Sequence, residues 1–262
     1  MLCNDAIWAV DKLFTPRRKP RTQSKQNLLK SAELLRVPYG EIELNGYSWG
    51  TGGRSILLVH GWEQCASSMN AFIDPLLENG YKVVAFDQPA HGDSQGTQTH
   101  LVDMAGAIRT FIDYIGVGSV QGIIGHSAGA ASAAMMLAWN TDVTIEKLVL
   151  ISVPCELTNA IKRFAILTSF PEDLVEDMCQ CIELRLRKSI EEMSLPKVTH
   201  LLKMPTLVIH DRKDREIPFS DAQALSAKWL EAKFIATSGL GHRRILSEPA
   251  VIQQVINFLT EN

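Results

Sequence analysis

The run Ile123-Ile124-Gly125-His126-Ser127-Ala128-Gly129-Ala130-Ala131 places a serine between two glycines, after an apolar stretch and before an alanine-rich one. Serine attacks a carbonyl only when its hydroxyl is held in the open beside a base. A sharp turn from strand to helix does both: it lifts the hydroxyl above the sheet edge and aims the first amides of the next helix at the substrate oxygen. So tight a turn leaves no room for side chains at the flanking positions, which is the reason for the glycines. Such a short pattern gains meaning only from a strand before it and a helix after it, and both are expected here.

A nucleophilic serine also needs a base, and the base needs an orienting carboxylate. Downstream, Thr206-Leu207-Val208-Ile209-His210 reads as a buried strand that runs into an acidic loop carrying Asp211, Asp214 and Glu216. Near the C-terminus a further strand, Ala232 to Thr237, is followed by Ser238-Gly239-Leu240-Gly241-His242. The glycines of that loop allow an imidazole to fold back toward the serine. The chain order is therefore serine, acid, histidine, with Asp211 and Asp214 both open as the acid. His60-Gly61-Trp62 follows the strand Ser55 to Val59, and Asp87-Gln88-Pro89-Ala90-His91-Gly92-Asp93-Ser94 follows the strand Lys82 to Phe86.

These five motifs, in this order and each after an expected strand, resemble the α/β-hydrolase family from about Gly40 onward. The resemblance implies Ser127 as nucleophile, His242 as general base and Asp214 as orienting acid, since Asp214-x-x-x-Pro218 is similar to the family's acid loop. It implies an oxyanion hole made by the backbone amides of Trp62 and Ala128, with the Trp62 indole shaping the acyl side. The longer His-Gly-Gly-Gly form of that loop is missing, which argues against bulky tertiary alcohol groups. Asp87 is not at the elbow, so the aspartate chemistry of the dehalogenase branch is not expected, and Asp87 is read as a brace for its own turn. The implied reaction is cleavage of a small or medium acyl ester through an acyl-enzyme. Carbon–carbon or lactone hydrolysis and acyl transfer use the same site, and a non-catalytic ligand receptor can use the same fold.

The elements that must position these residues alternate between strand and helix, predicting a mostly parallel sheet of about eight strands with helices on both faces. Asn45-Gly46 is a strong turn pair, so a hairpin of Glu41 to Leu44 with Tyr47 to Gly50 is expected. Leu101 to Ile115 is amphipathic, and Ala128 to Trp139 has the small residues that let a helix sit close to a sheet. Residues 39–153 and 204–262 are assigned to the core. Between them, residues 154–203 lose the alternation and read as a small helical cap, with helices over Glu156 to Thr168, Pro171 to Leu186 and Ser189 to Val198. Phe164, Leu167, Phe170, Leu174 and Met178 are its candidate acyl-pocket residues. Residues 1–38 are read as a helical extension. Ala6, Ile7, Val10, Leu13 and Phe14 share one helical face, a basic turn spans Thr15 to Arg21, and Gln26 to Leu35 continues as helix. The basic turn is expected to be a solvated linker.

Composition excludes other classes. A chain of 262 residues with 46% hydrophobic residues suits one large α/β domain. A net charge of −3 gives no pull toward nucleic acid or anionic lipid. Five scattered cysteines do not form a disulfide framework, and Cys179-x-Cys181 is too close for a zinc pair. No metal and no cofactor is expected: His60, His91 and His126 each sit inside a motif, and there is no dinucleotide or Walker loop. The apolar stretch Leu2 to Phe14 is interrupted by Asp5 and Asp11, and no stretch reaches the ~18 to 20 apolar residues that span a bilayer. The expected setting is the cytoplasm, with a small ester-like molecule as partner.

Overall fold

The computed structural model describes residues 3–261; Met1, Leu2 and Asn262, including the first residue of the N-terminal apolar stretch, lie outside the described residues. The chain opens with helices α1 (Asn4–Leu13) and α2 (Gln23–Lys30) and strands β1 (Glu33–Tyr39), β2 (Ile42–Trp49) and β3 (Ser55–Val59). A 3₁₀ turn (Ala66–Phe72) leads into α3 (Ile73–Glu78), then β4 (Lys82–Phe86), α4 (Leu101–Ile115), β5 (Val120–His126), α5 (Ala128–Trp139) and β6 (Lys147–Ile151). Helices α6 (Leu157–Leu167), α7 (Leu174–Leu186) and α8 (Leu195–Val198) are inserted before β7 (Thr206–Asp211). The fold closes with α9 (Phe219–Lys228), β8 (Lys233–Thr237), α10 (Gly241–Arg244) and α11 (Pro249–Thr260).

The eight strands form one sheet in the order β1-β2-β4-β3-β5-β6-β7-β8, in which β2 runs antiparallel to both of its neighbours and the pairs from β4 to β8 are parallel. Every residue of β3 and β7 is buried, because a parallel strand covered by helices on both faces has no solvent side. Two cores result, one on each face. Helix α5 is buried along nearly its whole length, and its alanines let it lie against α4 and the sheet.

The first hairpin differs from the expectation. Its turn is at Gly40-Glu41, where Gly40 has a φ of 58°, and Tyr39 pairs with Ile42. Asn45-Gly46 lies inside β2, with Gly46 paired to Leu35 on one side and Phe86 on the other. Packing overrides the turn signal: Phe86 and Phe111 stack at 4.1 Å, and a Cβ on Gly46 would come within 2.5 Å of the Phe111 ring. This glycine makes room for the aromatic pair.

The N-terminal region also departs from its reading as a wholly helical extension. Helix α2 stops at Lys30, and residues 33–39 form the sheet's edge strand, so the expected boundary at 38/39 cuts through β1. Helix α1 packs on α7, where Asp11 pairs with Arg185 at 2.7 Å, and Trp8 meets Phe170, in the turn before α7, edge-on at 5.3 Å. The basic turn is mostly exposed, as expected of a linker, but its side chains are paired rather than free. Arg17 and Lys19 pair with Glu63 at 2.7 and 3.0 Å. Arg18 donates to the carbonyls of Gly92, Ser94 and Gly96, and Arg21 pairs with Asp87 at 2.6 Å. The charges that made the run look like exposed linker find carbonyl and carboxylate acceptors on core loops distant in sequence.

Candidate active site

Ser127 sits between the end of β5 and the start of α5 with φ 53° and ψ −125°, a conformation that ordinary side chains rarely adopt. Its amide is tied to the carbonyl of Ile151 on the neighbouring strand at 2.9 Å. The glycines on either side permit this turn. A Cβ on Gly125 would lie 2.6 Å from the Ala130 Cα, and one on Gly129 would overlap the carbonyl oxygen of His60. Gly61 is equally constrained, since a Cβ there would stand 2.9 Å from the Ser127 Cβ. The β3 loop and the serine turn are thus in direct contact.

His242 is the second residue of the short helix α10 after β8, and its Nδ1 lies 2.8 Å from Asp214 Oδ2. The other Asp214 oxygen, Oδ1, accepts the amides of Glu216 and Ile217 at 2.8 and 2.9 Å. Burial works to raise the Asp214 pKa, but the hydrogen bond and charge of His242 and these two amides outweigh it and hold the carboxyl below its ordinary range. Asp211 does a different job. It accepts the Lys213, Gly239 and Leu240 amides and the Thr237 hydroxyl, which ties the β7 loop to the His242 loop. Its burial opposes ionisation, yet the Gly241 amide, the Thr237 hydroxyl and the Leu240 and Lys213 amides keep its pKa at about 2. Of the two acidic residues left open by the sequence, Asp214 faces the imidazole and Asp211 braces the loops.

The amides of Gly61 and Glu63 are used, donating to Gln64 Oε1 at 2.9 Å and His91 Nε2 at 3.0 Å. Between them, the Trp62 amide donates to no other group among the described residues. Ala128 is the first residue of α5, where a helix leaves its N–H groups without intrahelical acceptors. Both residues line the same cavity as Ser127 and His242. The Trp62 ring rests edge-on to His91 at 5.2 Å.

The motif histidines serve the framework. His60 accepts the Gln88 amide on Nε2 at 3.0 Å, and its Nδ1 faces the Gly61 carbonyl at 2.8 Å. His126 lies with Nδ1 2.9 Å from Gln64 Oε1 and Nε2 2.9 Å from the His242 carbonyl, linking the β3 loop to the histidine loop. Burial lowers its pKa to about 3. Among the described residues no group of three or more His, Cys, Asp or Glu is placed to hold a metal ion. Among the described residues no helix is long and apolar enough to cross a membrane.

The cavity above Ser127 has a volume of about 280 Å³ and a mainly apolar lining. Phe164 and Leu167 of α6 line it, as does Trp62. Phe170, Leu174 and Met178, expected beside them, do not. Phe170 turns outward onto Trp8, while Leu174 and Met178 are buried where α7 packs on its neighbours. Sequence reasoning missed Leu13 and Phe14 from α1 and its end, and Ile217 and Glu216 from the acid loop. The apolar periodicity of α1 showed that it had a face to bury, but periodicity does not say against what.

A family model described as the alpha/beta hydrolase family matches residues 56–254. The chain belongs to the α/β hydrolase family. Among curated proteins it is similar to a serine hydrolase-like protein of Danio rerio, with 33% identity over 144 residues, half of this chain and 42% of that protein. It is also similar to a 2-hydroxy-6-oxononadienedioate/2-hydroxy-6-oxononatrienedioate hydrolase of Escherichia coli, at 27% identity over 48% of this chain and 43% of the relative. The chain thus spans under half the length of these relatives. Among solved structures, an esterase of Pyrococcus furiosus superposes with a TM-score of 0.71 at 22% identity, covering 94% of this chain and 98% of that one. A bromoperoxidase of Bacillus anthracis gives 0.69 at 18% identity, covering 87% and 100%. At such identities these two share the α/β hydrolase fold, and the fold does not choose a reaction.

Proposed function

We propose that this α/β hydrolase is a serine hydrolase that cleaves a carboxylic ester of small or medium acyl chain. The observation that carries the reading is the 2.8 Å contact between His242 Nδ1 and Asp214 Oδ2 at a cavity that also exposes Ser127 on its positive-φ turn. Asp214 holds the proton on Nδ1, which leaves the His242 Nε2 lone pair as the base. Ser127 attacks the ester carbonyl as its proton moves to Nε2. The developing oxyanion is received by the amides of Trp62 and Ala128, and each such donor is typically worth about 10²–10³ in rate. His242 then protonates the leaving alcohol, the acyl group stays on Ser127, and a water activated by the same imidazole releases the acid. A mainly apolar cavity of about 280 Å³, close to the lower end of the roughly 300–1,000 Å³ usual for small-molecule pockets, favours a short or medium acyl chain.

The test is covalent labelling by a fluorophosphonate with peptide mapping, alongside hydrolysis of p-nitrophenyl esters. Labelling at Ser127 together with turnover of short esters is the expected result, and Ser127→Ala should abolish both. Labelling without ester turnover would retain the triad and overturn the ester reading. A folded protein whose Ser127 does not label would overturn the triad itself.

A further inference from the structure

Phe14 lies outside the motifs, yet it stands at the wall of the cavity. His242 has to hand a proton to the leaving oxygen, so on the reading above the leaving group lies on the side of His242 and Glu216. The acyl chain leaves the carbonyl in the other direction. There the lining follows one face of α5 through Ala128, Ala131 and Met135. At about 1.5 Å of rise per residue, that face runs for roughly 10 Å. Ser132 Oγ donates to the Leu101 carbonyl at 3.2 Å, so the start of α4 meets α5 at the level of Ala131. Phe14 belongs to this level, its ring 5.1 Å from the His100 ring, and both residues line the cavity with Leu101.

We propose that Phe14 is a specificity-determining residue that limits the length of the acyl chain, with the N-terminal segment serving as a fixed wall of the substrate site. The proposal rests on the ester-hydrolase reading for the nature of the substrate. Phe14 is suited to a wall because its backbone is held on both sides. Its carbonyl accepts the Thr99 amide at 2.9 Å, and Gln98 Nε2 reaches the Asp11 carbonyl and the Thr15 hydroxyl. Before it, Asp11 is paired with Arg185. After it, the segment is fastened by Arg17 and Lys19 on Glu63, the residue that follows Trp62, and by Arg21 on Asp87. Phe14 is buried, so its ring has packed partners and little room to swing aside. A large aromatic in that setting stops a chain, whereas a small residue would let it continue toward α1.

The experiment compares wild type with Phe14→Ala and Phe14→Trp in the full chain, using p-nitrophenyl butyrate, octanoate and dodecanoate. Phe14→Ala is expected to raise the dodecanoate-to-butyrate ratio of kcat/KM by about tenfold or more, since two or three further methylenes would leave water. Phe14→Trp is expected to lower the octanoate-to-butyrate ratio. Titration calorimetry with dodecanoate and butyrate on Ser127→Ala and Ser127→Ala/Phe14→Ala reads the same wall without turnover, and dodecanoate alone should bind more tightly to the double variant. Folded variants that keep the wild-type chain-length ratios and dodecanoate affinity would overturn the proposal. If the wild type hydrolyses none of these esters but Phe14→Ala still tightens dodecanoate, the ester reading fails and the wall stands. Should Phe14→Ala not fold, Phe14→Trp and Phe14→Leu decide by the same ratios.

Discussion

Acidification from about pH 7.5 to about pH 5 should weaken the fold through histidines that have no place for a second proton. His60 and His91 are buried, and each accepts a backbone amide on Nε2, from Gln88 and Glu63 respectively. Each Nδ1 faces a carbonyl, of Gly61 and Pro89, and therefore carries the ring's one proton. A second proton would have to enter on Nε2, against an N–H. Burial is the main cause that lowers the two pKa values, to about 4 for His60 and about 3 for His91, and the charge of His60 lowers His91 further. In the unfolded chain both return to about 6.5. Between these values the unfolded state binds more protons than the folded one. Stability from this source is therefore complete above about pH 6.5 and falls as the pH drops toward the folded values. The slope is about 1.4 kcal/mol per pH unit for each histidine, or about 2 kcal/mol each at about pH 5. Glu63 and Asp211 do not blur this window. Burial opposes their ionisation, but their donors hold both at about 2, so their contribution is lost only below about pH 4. The buried His126 and His210 and the half-buried His100 shift in the same direction and steepen the wild-type curve, so the readout is a difference. In His91→Gln, Oε1 takes the place of Nε2 as acceptor for the Glu63 amide and does not titrate. Urea unfolding should show the variant losing about 2 kcal/mol less than wild type between about pH 7.5 and 5, with the slopes differing by about 1.4 kcal/mol per pH unit only below about pH 6.5. Burial raises the Asp87 and Asp221 carboxyls, which act in the opposite direction on acidification, so the difference between the two proteins is decisive: an unchanged slope in His91→Gln would refute the reasoning.

Two further outcomes can be stated. Arg21→Ala leaves the fully buried Asp87 carboxylate without its cation, though the amides of Ala66 and Asp93 still serve it at 2.7 and 2.8 Å. The loss should be about 3 kcal/mol, at the low end for a broken buried pair, read as a fall in Tm of about 6 °C by calorimetry; a change below about 1 °C would contradict it. Asp214→Asn should lower kcat on a short ester by about 10³–10⁴ with Tm nearly unchanged. Asp211→Asn should instead lower Tm, because it weakens the loop amides rather than the imidazole contact, and a reversed pattern would exchange the two roles.

The serine turn was legible in the sequence because its requirements are local. A serine turn needs glycines on both flanks, a strand before it and a helix after it, all within a dozen residues around Ser127. Helix α4 was readable to its ends, because the apolar period breaks at Gly116 and His100 caps the Asp103 amide. The Asn45-Gly46 pair misled for an equally physical reason: turn propensity is worth little against the stacking of Phe86 on Phe111, which needs a residue without a side chain beneath it.

What the sequence determined by itself was the order of serine, acid and histidine along alternating strands and helices, and with it the α/β hydrolase fold, since local propensity and hydrophobic period act over short separations. Tertiary structure alone decided the relations that depend on distance between remote segments. It set Asp214 against His242 and left Asp211 to brace the loops, although the two carboxylates are only three residues apart. It turned Phe170, Leu174 and Met178 away from the cavity and brought Leu13 and Phe14 to it. It also folded the basic run onto Glu63 and Asp87, because a charged side chain finds its partner through space and carries no sign of that partner in its own neighbourhood of the chain.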